Sequence, residues 1–352
     1  MNSEKHTGNI NYYSYKLRKK KRNRRIIIIR SILLVVLLLA VVLLFIFGYI
    51  QFKKTRINDY YDTENGYTNL IKTEDLVSDR LVPFASDLAV LNKDTDYSDE
   101  MLTSDAGLIT GRSGGNIISA KAPTERMNPA STTKIMTALC ALKYGNIDDL
   151  VVITNDALIT EEGASLAYIK PGQTYTLRQL LYGLLLPSGN DAANAIAIHV
   201  GGSIDAFVDI MNKEATEIGA ADTHFKNPHG MTDEDHYTTA YDLYLMLNEA
   251  MQYPDFIEIC STKEYNVEYL NEDGTYGSRL WKNTNKYITG ERDLPETISV
   301  IAGKTGTTLA AGHCLVMAVS NENDDEFVTI VLKSDTTDSL YNNMDYYLSG
   351  VR

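Results

Sequence analysis

Ser131-Thr132-Thr133-Lys134 is the first of three short polar stretches in this chain of 352 residues; the others are Ser188-Gly189-Asn190 and Lys304-Thr305-Gly306. Each stands in apolar or glycine-rich surroundings. Together they supply a nucleophile, two candidate bases and a cationic group. Any one of them occurs by chance in many chains, but the three in this order within one domain predict a single site that uses serine chemistry.

The first stretch lies at the start of a predicted helix. Residues three apart in a helix are neighbours on one face, so we expect Ser131 and Lys134 to be adjacent. A serine hydroxyl needs a neighbouring base, and a lysine serves when desolvation or nearby cations lower its pKa. In the alternative interpretation, Ser131 caps the helix and Lys134 is a surface charge. The helical signal consists of Ile135, Leu139 and Leu142 after Pro129, with Gly145 at the end.

The second stretch follows the apolar run Leu184-Leu185-Leu186 and predicts a loop between two helices. Such a loop can present the Ser188 hydroxyl for proton transfer and the Asn190 carboxamide to a substrate carbonyl. An ordinary helix–helix turn, in which Ser188 and Asp191 act as caps, is the alternative.

The third stretch follows a predicted strand that ends near Ala302. Its glycines would let a substrate backbone lie against the strand as an added strand does. Lys304 supplies positive charge, and the Thr305 hydroxyl suits a carboxylate. The alternative is a glycine-rich turn.

The order of the predicted elements indicates an α+β fold in which one sheet takes strands from both ends of the domain. A helical lobe is then inserted between those strands, and we expect the site where the lobe meets the sheet. The predicted strands are Ala106–Thr110, Asn116–Lys121, Thr297–Ala302, Cys314–Ser320 and Phe327–Lys333, with a further hairpin around Asn271–Gly274. The predicted helices begin near Ser131 and cover Leu177–Leu185, Ala192–Val200, Ile204–Ile218, Ala240–Gln252 and Ser339–Leu348.

The residues around the three stretches resemble a known family. The stretches are similar to the Ser-x-x-Lys, Ser-x-Asn and Lys-Thr-Gly motifs of the penicillin-recognising serine enzymes. Their flanks resemble the low-molecular-mass D-alanyl-D-alanine carboxypeptidases, which are penicillin-binding proteins of the peptidase S11-like family, over about Ala106–Leu348. The resemblance implies an antiparallel sheet flanked by helices, as in β-lactamases and DD-peptidases, with an all-helical lobe inserted. The matching flanks are Asn128 to Thr137, Leu186 to Ala193, Asn227 to Met231 and Gly303 to Thr308.

The resemblance implies acyl transfer without a metal or other cofactor. Ser131 would attack the carbonyl of the penultimate D-Ala of a peptidoglycan stem peptide, giving an acyl-enzyme and releasing the terminal D-Ala. Lys134 would be the base, and Ser188 would pass the proton to the leaving amine. A β-lactam would acylate Ser131 and leave slowly.

The resemblance also implies the substrate-binding residues. Asn190 would hold the peptide carbonyl, and Lys304 with Thr305 and Gly306 would position Ser188 and the substrate carboxylate. The backbone amides of Ser131 and Thr307 would form the oxyanion hole.

Several alternatives on the same fold stay open. A DD-endopeptidase that cuts crosslinks would share every motif, and so would a non-catalytic β-lactam or wall-binding protein. A β-lactamase would need a strong base for deacylation, and no glutamate stands between Phe225 and Met231. A Ser-His-Asp triad needs no fixed spacing, but the Ser-Lys pair accounts for the three motifs without a histidine.

Charge is distributed unevenly. Residues 1–56 carry 13 Lys and Arg against one acid, Glu4, which leaves 20 basic and 45 acidic residues beyond them. This excess of acids argues against nucleic acid as a partner.

The apolar run 26–50 predicts a membrane anchor, since the uncharged part from Ser31 to Ile50 is long enough to cross a bilayer. The basic tail 1–25 places the N-terminus in the cytoplasm. We therefore expect a stalk over 51–105 and an extracytoplasmic catalytic domain over 106–352. A cleaved signal peptide is the alternative, although no clear cleavage site follows the run. Many relatives have a β-rich C-terminal domain and a C-terminal anchor; this chain ends at Arg352, and the N-terminal helix is expected to replace that anchor.

Cysteines and histidines show no metal-ligand or redox spacing. Cys140 and Cys314 stand in apolar runs, so buried free thiols are expected. A histidine–carboxylate metal site within Asp222–His236 is the alternative for the loose histidine cluster there.

Overall fold

The computed structural model describes residues 88–92, 95–112 and 117–351. Within these residues the strands form two antiparallel sheets. The larger sheet has the strand order β2-β1-β9-β8-β7, and the smaller has the order β3-β4-β5-β6. Because β1 lies between β2 and β9, one sheet takes strands from both ends of the domain, as predicted. The strands are β1 (Ala106–Gly111), β2 (Ile117–Lys121), β3 (Leu150–Val152), β4 (Thr174–Thr176), β5 (Glu264–Leu270), β6 (Tyr276–Lys282), β7 (Ser299–Thr308), β8 (Gly312–Ser320) and β9 (Glu326–Ser334).

Helices cover both faces of the larger sheet, and the side chains of β8 show how. Leu315 and Met317 pack with the last helix, whereas Val316 and Ala318 pack in the core of the helical lobe. All four are fully buried. Successive side chains of a strand point to opposite faces, so the continuous apolar run of β8 is what a strand covered on both sides requires.

Most of the predicted helices are present, and hydroxyl side chains cap four of them. Each such cap contributes about 1 kcal/mol of stability. Thr176 and Gln179 form a capping box, and the helix they begin has the predicted bounds. The helices are α1 (Lys134–Tyr144), α2 (Leu177–Leu185), α3 (Asn190–Gly201), α4 (Ile204–Glu217), α5 (Ala240–Ala250), α6 (Pro254–Ser261), α7 (Lys286–Thr289) and α8 (Thr337–Leu348), and the capped ones are α2, α4, α5 and α8.

The third polar stretch differs from its prediction, because it lies within a strand. β7 continues through Lys304-Thr305-Gly306, which pairs with β8 in register. The glycines that resemble a turn instead allow close packing at this edge strand. A Cβ on Gly303 would lie 2.7 Å from Asn285 Nδ2.

Part of the predicted stalk packs on the domain. Ala89 and Leu102 are fully buried. The Ala89 backbone N–H donates to the Tyr244 hydroxyl (2.8 Å), and its carbonyl accepts from the Tyr241 hydroxyl (2.9 Å). Packed structure therefore begins before Ala106.

The predicted tail (1–25), anchor (26–50) and first part of the stalk lie outside the described residues. Within the described part of the chain, no helix is both long enough and apolar enough to cross a membrane.

Candidate active site

The three polar stretches converge where the helical lobe meets β7. Ser131 lies in a 3₁₀ turn, Ala130–Thr133, so the α-helix begins at Lys134 rather than near Ser131. Ser188 stands two residues before Asn190, the first residue of α3.

Side-chain hydroxyls account for the tightened turn before α1. Thr132 Oγ1 donates to the Pro129 carbonyl at 2.7 Å, and Thr133 Oγ1 donates to the Ala130 carbonyl at 2.8 Å. Such local bonds compete with regular helical bonding. They hold Ser131 at the head of α1, where the helix dipole favours negative charge.

Lys134 is the centre of the site. Its Nζ lies 2.8 Å from Ser131 Oγ, 2.7 Å from Asn190 Oδ1 and 2.7 Å from the His229 carbonyl oxygen. Burial, followed by the charge of Lys304, lowers the pKa of Lys134 well below its ordinary value, and the charge of Asp191 opposes that shift.

A neutral Lys134 amine matches this set of three neighbours. An amine has two N–H bonds, which donate to the Asn190 and His229 oxygens, and one lone pair. The lone pair is then left for the third neighbour, Ser131, whose hydroxyl can donate to it. The arrangement therefore gives Ser131 a base that is already oriented toward its proton.

Ser188 and Lys304 form a second pair. Lys304 Nζ donates to Ser188 Oγ at 3.0 Å and to the Thr305 carbonyl at 2.8 Å. Lys304 is only 1% exposed, and burial lowers its pKa to about 7. The pair can thus orient the Ser188 hydroxyl and exchange protons near neutral pH.

Two of the six non-glycine residues with positive φ in the described part of the chain stand beside these groups. Ala130 has φ 49° and Ser188 has φ 62°, although neither is glycine. Non-glycine residues held in sparsely populated backbone regions cost about 1–3 kcal/mol each and persist where the surroundings fix them. Here the strained residues are the neighbour of Ser131 and the partner of Lys304.

Two glycines allow the chain to close around Ser131. A Cβ on Gly230 would lie 1.8 Å from the Ala130 carbonyl oxygen, and Gly230 has φ +88°. A Cβ on Gly306 would lie 2.9 Å from the Ser131 backbone nitrogen. The close approach that Gly306 permits in this structure is therefore that of the Ser131 turn.

Thr305 and Thr307 carry hydroxyls farther along β7. Thr305 Oγ1 lies 2.6 Å from Thr284 Oγ1, and Thr307 Oγ1 lies 3.2 Å from His313 Nδ1. Both threonines line the cleft beside Ser131.

Asp191 is a positioning residue that the sequence did not reveal as such. Its buried carboxylate accepts from the backbone N–H groups of Ala167 (2.8 Å), Ile169 (3.1 Å) and Ala192 (2.9 Å). Burial raises the pKa of Asp191, and these backbone bonds oppose the rise. The carboxylate thus fastens the loop around Ala167 to the second polar stretch. Its place directly after Asn190 was the only available signal.

The histidines near the site serve structural bonds. His236 Nδ1 accepts from the Lys226 N–H (3.1 Å), so its Nε2–H faces Thr133 Oγ1 (2.8 Å). Burial lowers the pKa of His236 to about 4 and that of His229 to about 3, so both rings are neutral at neutral pH. Among the described residues, no cluster of three or more potential metal ligands is present.

Cys140 and Cys314 are buried free thiols, as predicted, and so is Cys260.

An open cleft extends on both sides of Ser131. The larger half has a volume of about 620 Å³ and includes Asn190, His229, Met231 and Leu309. The smaller half has about 210 Å³ and includes Ser188, Thr305 and Lys286. Ser131 and Thr307 line both halves, so a bound chain could cross the nucleophile.

Comparisons with known proteins agree with this geometry. A family model described as D-alanyl-D-alanine carboxypeptidase matches residues 93–336. The D-alanyl-D-alanine carboxypeptidase DacF of Bacillus subtilis (strain 168) is 35% identical over 224 residues, which are 62% of this chain and 54% of that protein. DacA of Escherichia coli (strain K12) is 33% identical over 235 residues, 63% of this chain and 54% of that protein. The chain therefore spans about half the length of these relatives.

A solved structure is similar as well. The crystal structure of the Streptomyces K15 DD-transpeptidase superposes with a TM-score of 0.66 at 30% identity, over 74% of this chain and 98% of that one. The family model covers well over half of the chain and spans all three polar stretches. The chain therefore belongs to the D-alanyl-D-alanine carboxypeptidase family, Peptidase_S11.

Proposed function

We propose that this protein is a membrane-anchored serine carboxypeptidase that removes the terminal D-Ala from peptidoglycan stem peptides ending in D-Ala-D-Ala. The observation that carries the proposal is the buried Lys134 amine, which has two acceptors for its N–H bonds and Ser131 Oγ at 2.8 Å as its third neighbour. The names of the relatives supply the substrate class.

Acylation would proceed as follows. Ser131 Oγ attacks the carbonyl carbon of the penultimate D-Ala while its proton passes to Lys134 Nζ. The tetrahedral intermediate collapses, and the bond to the terminal D-Ala nitrogen breaks. Ser188, held by Lys304, relays the proton from Lys134 to that leaving nitrogen, so free D-Ala departs and Lys134 is neutral again.

The negative charge of the tetrahedral intermediate needs donors. The backbone N–H groups of Ser131 and Thr307 are proposed to supply them, because both residues line both halves of the cleft. Preorganised donors of this kind typically lower the barrier by about 3–4 kcal/mol each.

Deacylation would use the same groups. Water attacks the ester carbonyl while its proton passes to Lys134 Nζ. The bond between that carbon and Ser131 Oγ then breaks, and Lys134 returns the proton to Ser131 Oγ. The products are the shortened stem peptide and the free enzyme.

Other acyl acceptors define the competing functions. An amine acceptor would make the protein a transpeptidase, which is the name given to its Streptomyces K15 structural relative. A crosslinked peptide as the acyl donor would make it an endopeptidase. Rapid turnover of a β-lactam would make it a β-lactamase, and labelling without turnover would make it a binding protein.

The test uses the full-length protein purified in detergent. D-Ala release is measured from a pentapeptide ending in D-Ala-D-Ala and from a crosslinked dimer, with and without an added amine, alongside penicillin hydrolysis. We expect D-Ala release from the pentapeptide and slow loss of bound penicillin. Rapid penicillin turnover without D-Ala release would refute the proposal.

The nucleophile is tested with a fluorescent penicillin. Ser131→Ala should lose all covalent labelling. Ser165→Ala is the matched control, since Ser165 also lines both halves of the cleft, and it should still label. Labelling of Ser131→Ala would overturn the assignment.

The anchor and the extracytoplasmic location of the catalytic domain are part of the proposal. They rest on the apolar run 26–50 behind a basic tail. Protease treatment of intact protoplasts should remove the catalytic domain and leave a small membrane-bound fragment. Release of the whole protein by a salt wash would contradict the anchor.

A further inference from the structure

The proposed substrate ends in a carboxylate, and the cleft has one half suited to an anion. The smaller half is lined by hydroxyls, including those of Thr284, Thr305 and Thr337. Among the described residues that line it, Lys286 and His313 are basic and none is acidic. The larger half, by contrast, includes the acid Glu162 and the apolar Met231 and Leu309.

Lys304 is poorly suited to hold that carboxylate alone. It is 1% exposed and does not line the smaller half. Its Nζ already donates to Ser188 Oγ and to the Thr305 carbonyl. Because burial lowers its pKa to about 7, it also carries only part of a charge at neutral pH.

Lys286, unlike Lys304, lines the smaller half of the cleft. It is half-buried at the first residue of α7 and is held by α8, because its backbone N–H donates to the Tyr341 hydroxyl at 2.8 Å. Its Nζ lies 5.5 Å from the centre of the Tyr341 ring, and Tyr341 lines the same half of the cleft. Among the described residues, no carboxylate forms an ion pair with Lys286.

We propose that Lys286 binds the C-terminal carboxylate of the substrate and so selects chains with a free carboxyl end. The leaving D-Ala then lies in the smaller half beside Thr284 and Thr305, and the acyl part of the stem peptide lies in the larger half. This inference rests on the proposed function, and it adds Lys286 as the residue that recognises the free C-terminal carboxylate.

The experiment compares two substrates that differ only at that end: an N-acyl peptide ending in D-Ala-D-Ala and its C-terminal amide. In the wild-type protein, kcat/KM should favour the free acid. Lys286→Met should lower kcat/KM for the acid about 10-fold to 100-fold, the effect of losing a charged hydrogen bond, and leave the amide within about twofold. Lys286→Arg should retain most of the preference. Lys282→Met, an exposed lysine four residues earlier on β6, should leave both substrates unchanged.

The acid-to-amide ratio separates binding from structural damage, because misfolding would lower both substrates equally. An unchanged ratio in Lys286→Met would overturn the inference. If the wild-type protein releases no D-Ala, the proposed function fails, and acylation by a penicillin is compared with acylation by its methyl ester. A preference for the free penicillin that Lys286→Met abolishes would still support the carboxylate role, and an equal rate for both would refute it.

Discussion

Asp191→Ala tests how the second polar stretch is held in place, and we expect it to lower the free energy of unfolding. The substitution removes the acceptor of three backbone N–H groups. Ala167 and Ile169 are buried, so their N–H groups would lose a partner without gaining water. An unsatisfied buried donor costs about 1–3 kcal/mol; since Ala192 is fully buried as well, the three donors give a loss of about 3–9 kcal/mol in the free energy of unfolding.

The assay is urea denaturation followed by the fluorescence of Trp281, the only tryptophan of the chain. Its Nε1–H donates to the Ala167 carbonyl at 2.9 Å, so it reports on the loop that Asp191 fastens. Asp205→Ala is the matched control, because Asp205 also stands in a first helical turn but is exposed. We expect the control to lose no more than about 1 kcal/mol.

Asp191→Asn keeps the shape and removes the charge, which adds a second readout. The Asp191 charge raises the pKa of Lys134, so its removal should lower that pKa further. Because Lys134 acts as a base only when neutral, the acid limb of the pH profile for penicillin acylation should move to lower pH. The reasoning is refuted if Asp191→Ala is as stable as the control, or if the acid limb moves to higher pH.

Three further predictions concern neighbouring groups. Gly230→Ala should lower the free energy of unfolding by about 3–5 kcal/mol, because its Cβ would collide with the Ala130 carbonyl. Gly163 has φ +81° but open space around it, so Gly163→Ala should lower it by only about 1–2 kcal/mol in the same denaturation assay. Lys304 is protonated below its pKa of about 7, so acylation that needs its charge should slow as pH rises above 7. Lys304→Arg should move this alkaline limb to higher pH. A rate of acylation that does not vary with pH in either protein would contradict the role. Burial lowers the pKa of His236 to about 4, so the unfolded chain binds a proton that the native chain excludes between about pH 6.5 and 4. The free energy of unfolding should therefore fall as pH drops through that window, and His236→Gln should flatten the dependence in urea titrations at several pH values.

The sequence predicted those parts of the fold in which local signals and tertiary packing agree. Thr176 and Gln179 cap α2, and the apolar spacing after them gives the bounds that the structure has. The turn at Asn271–Gly274 likewise joins β5 to β6, as expected. In both cases the residues that define the element are neighbours in the chain.

Strands β3 and β4 of the smaller sheet were missed for the opposite reason. β3 and β4 have three residues each, too few to show an alternating pattern, and they form because β5 pairs with β4 from far along the chain. Helix α6 was not predicted; it begins at Pro254, because proline is favoured at a first helical position, where no N–H bond is needed.

Around the candidate site, the sequence predicted the residue types, and the structure supplied their partners. The adjacency of Ser131 and Lys134 follows from helical spacing. The His229 carbonyl that bonds Lys134, by contrast, comes from a loop 95 residues later, and no local pattern marks a backbone oxygen as part of a site. The Asp191 carboxylate bonds backbone groups about 22–24 residues earlier, which is equally invisible to spacing.

The pairing of β1 with β9 determines when the larger sheet can close during synthesis. Ala106 pairs with Leu332, so the larger sheet closes only after residue 332 has been synthesised. Such distant contacts slow folding, since the loop entropy is lost before the contacts form. A nascent or truncated chain that ends before β7 would hold Ser131 and Lys134 but no opposite wall of the cleft. Under the proposed function, activity therefore requires that β7 has been synthesised as well as Ser131 and Lys134.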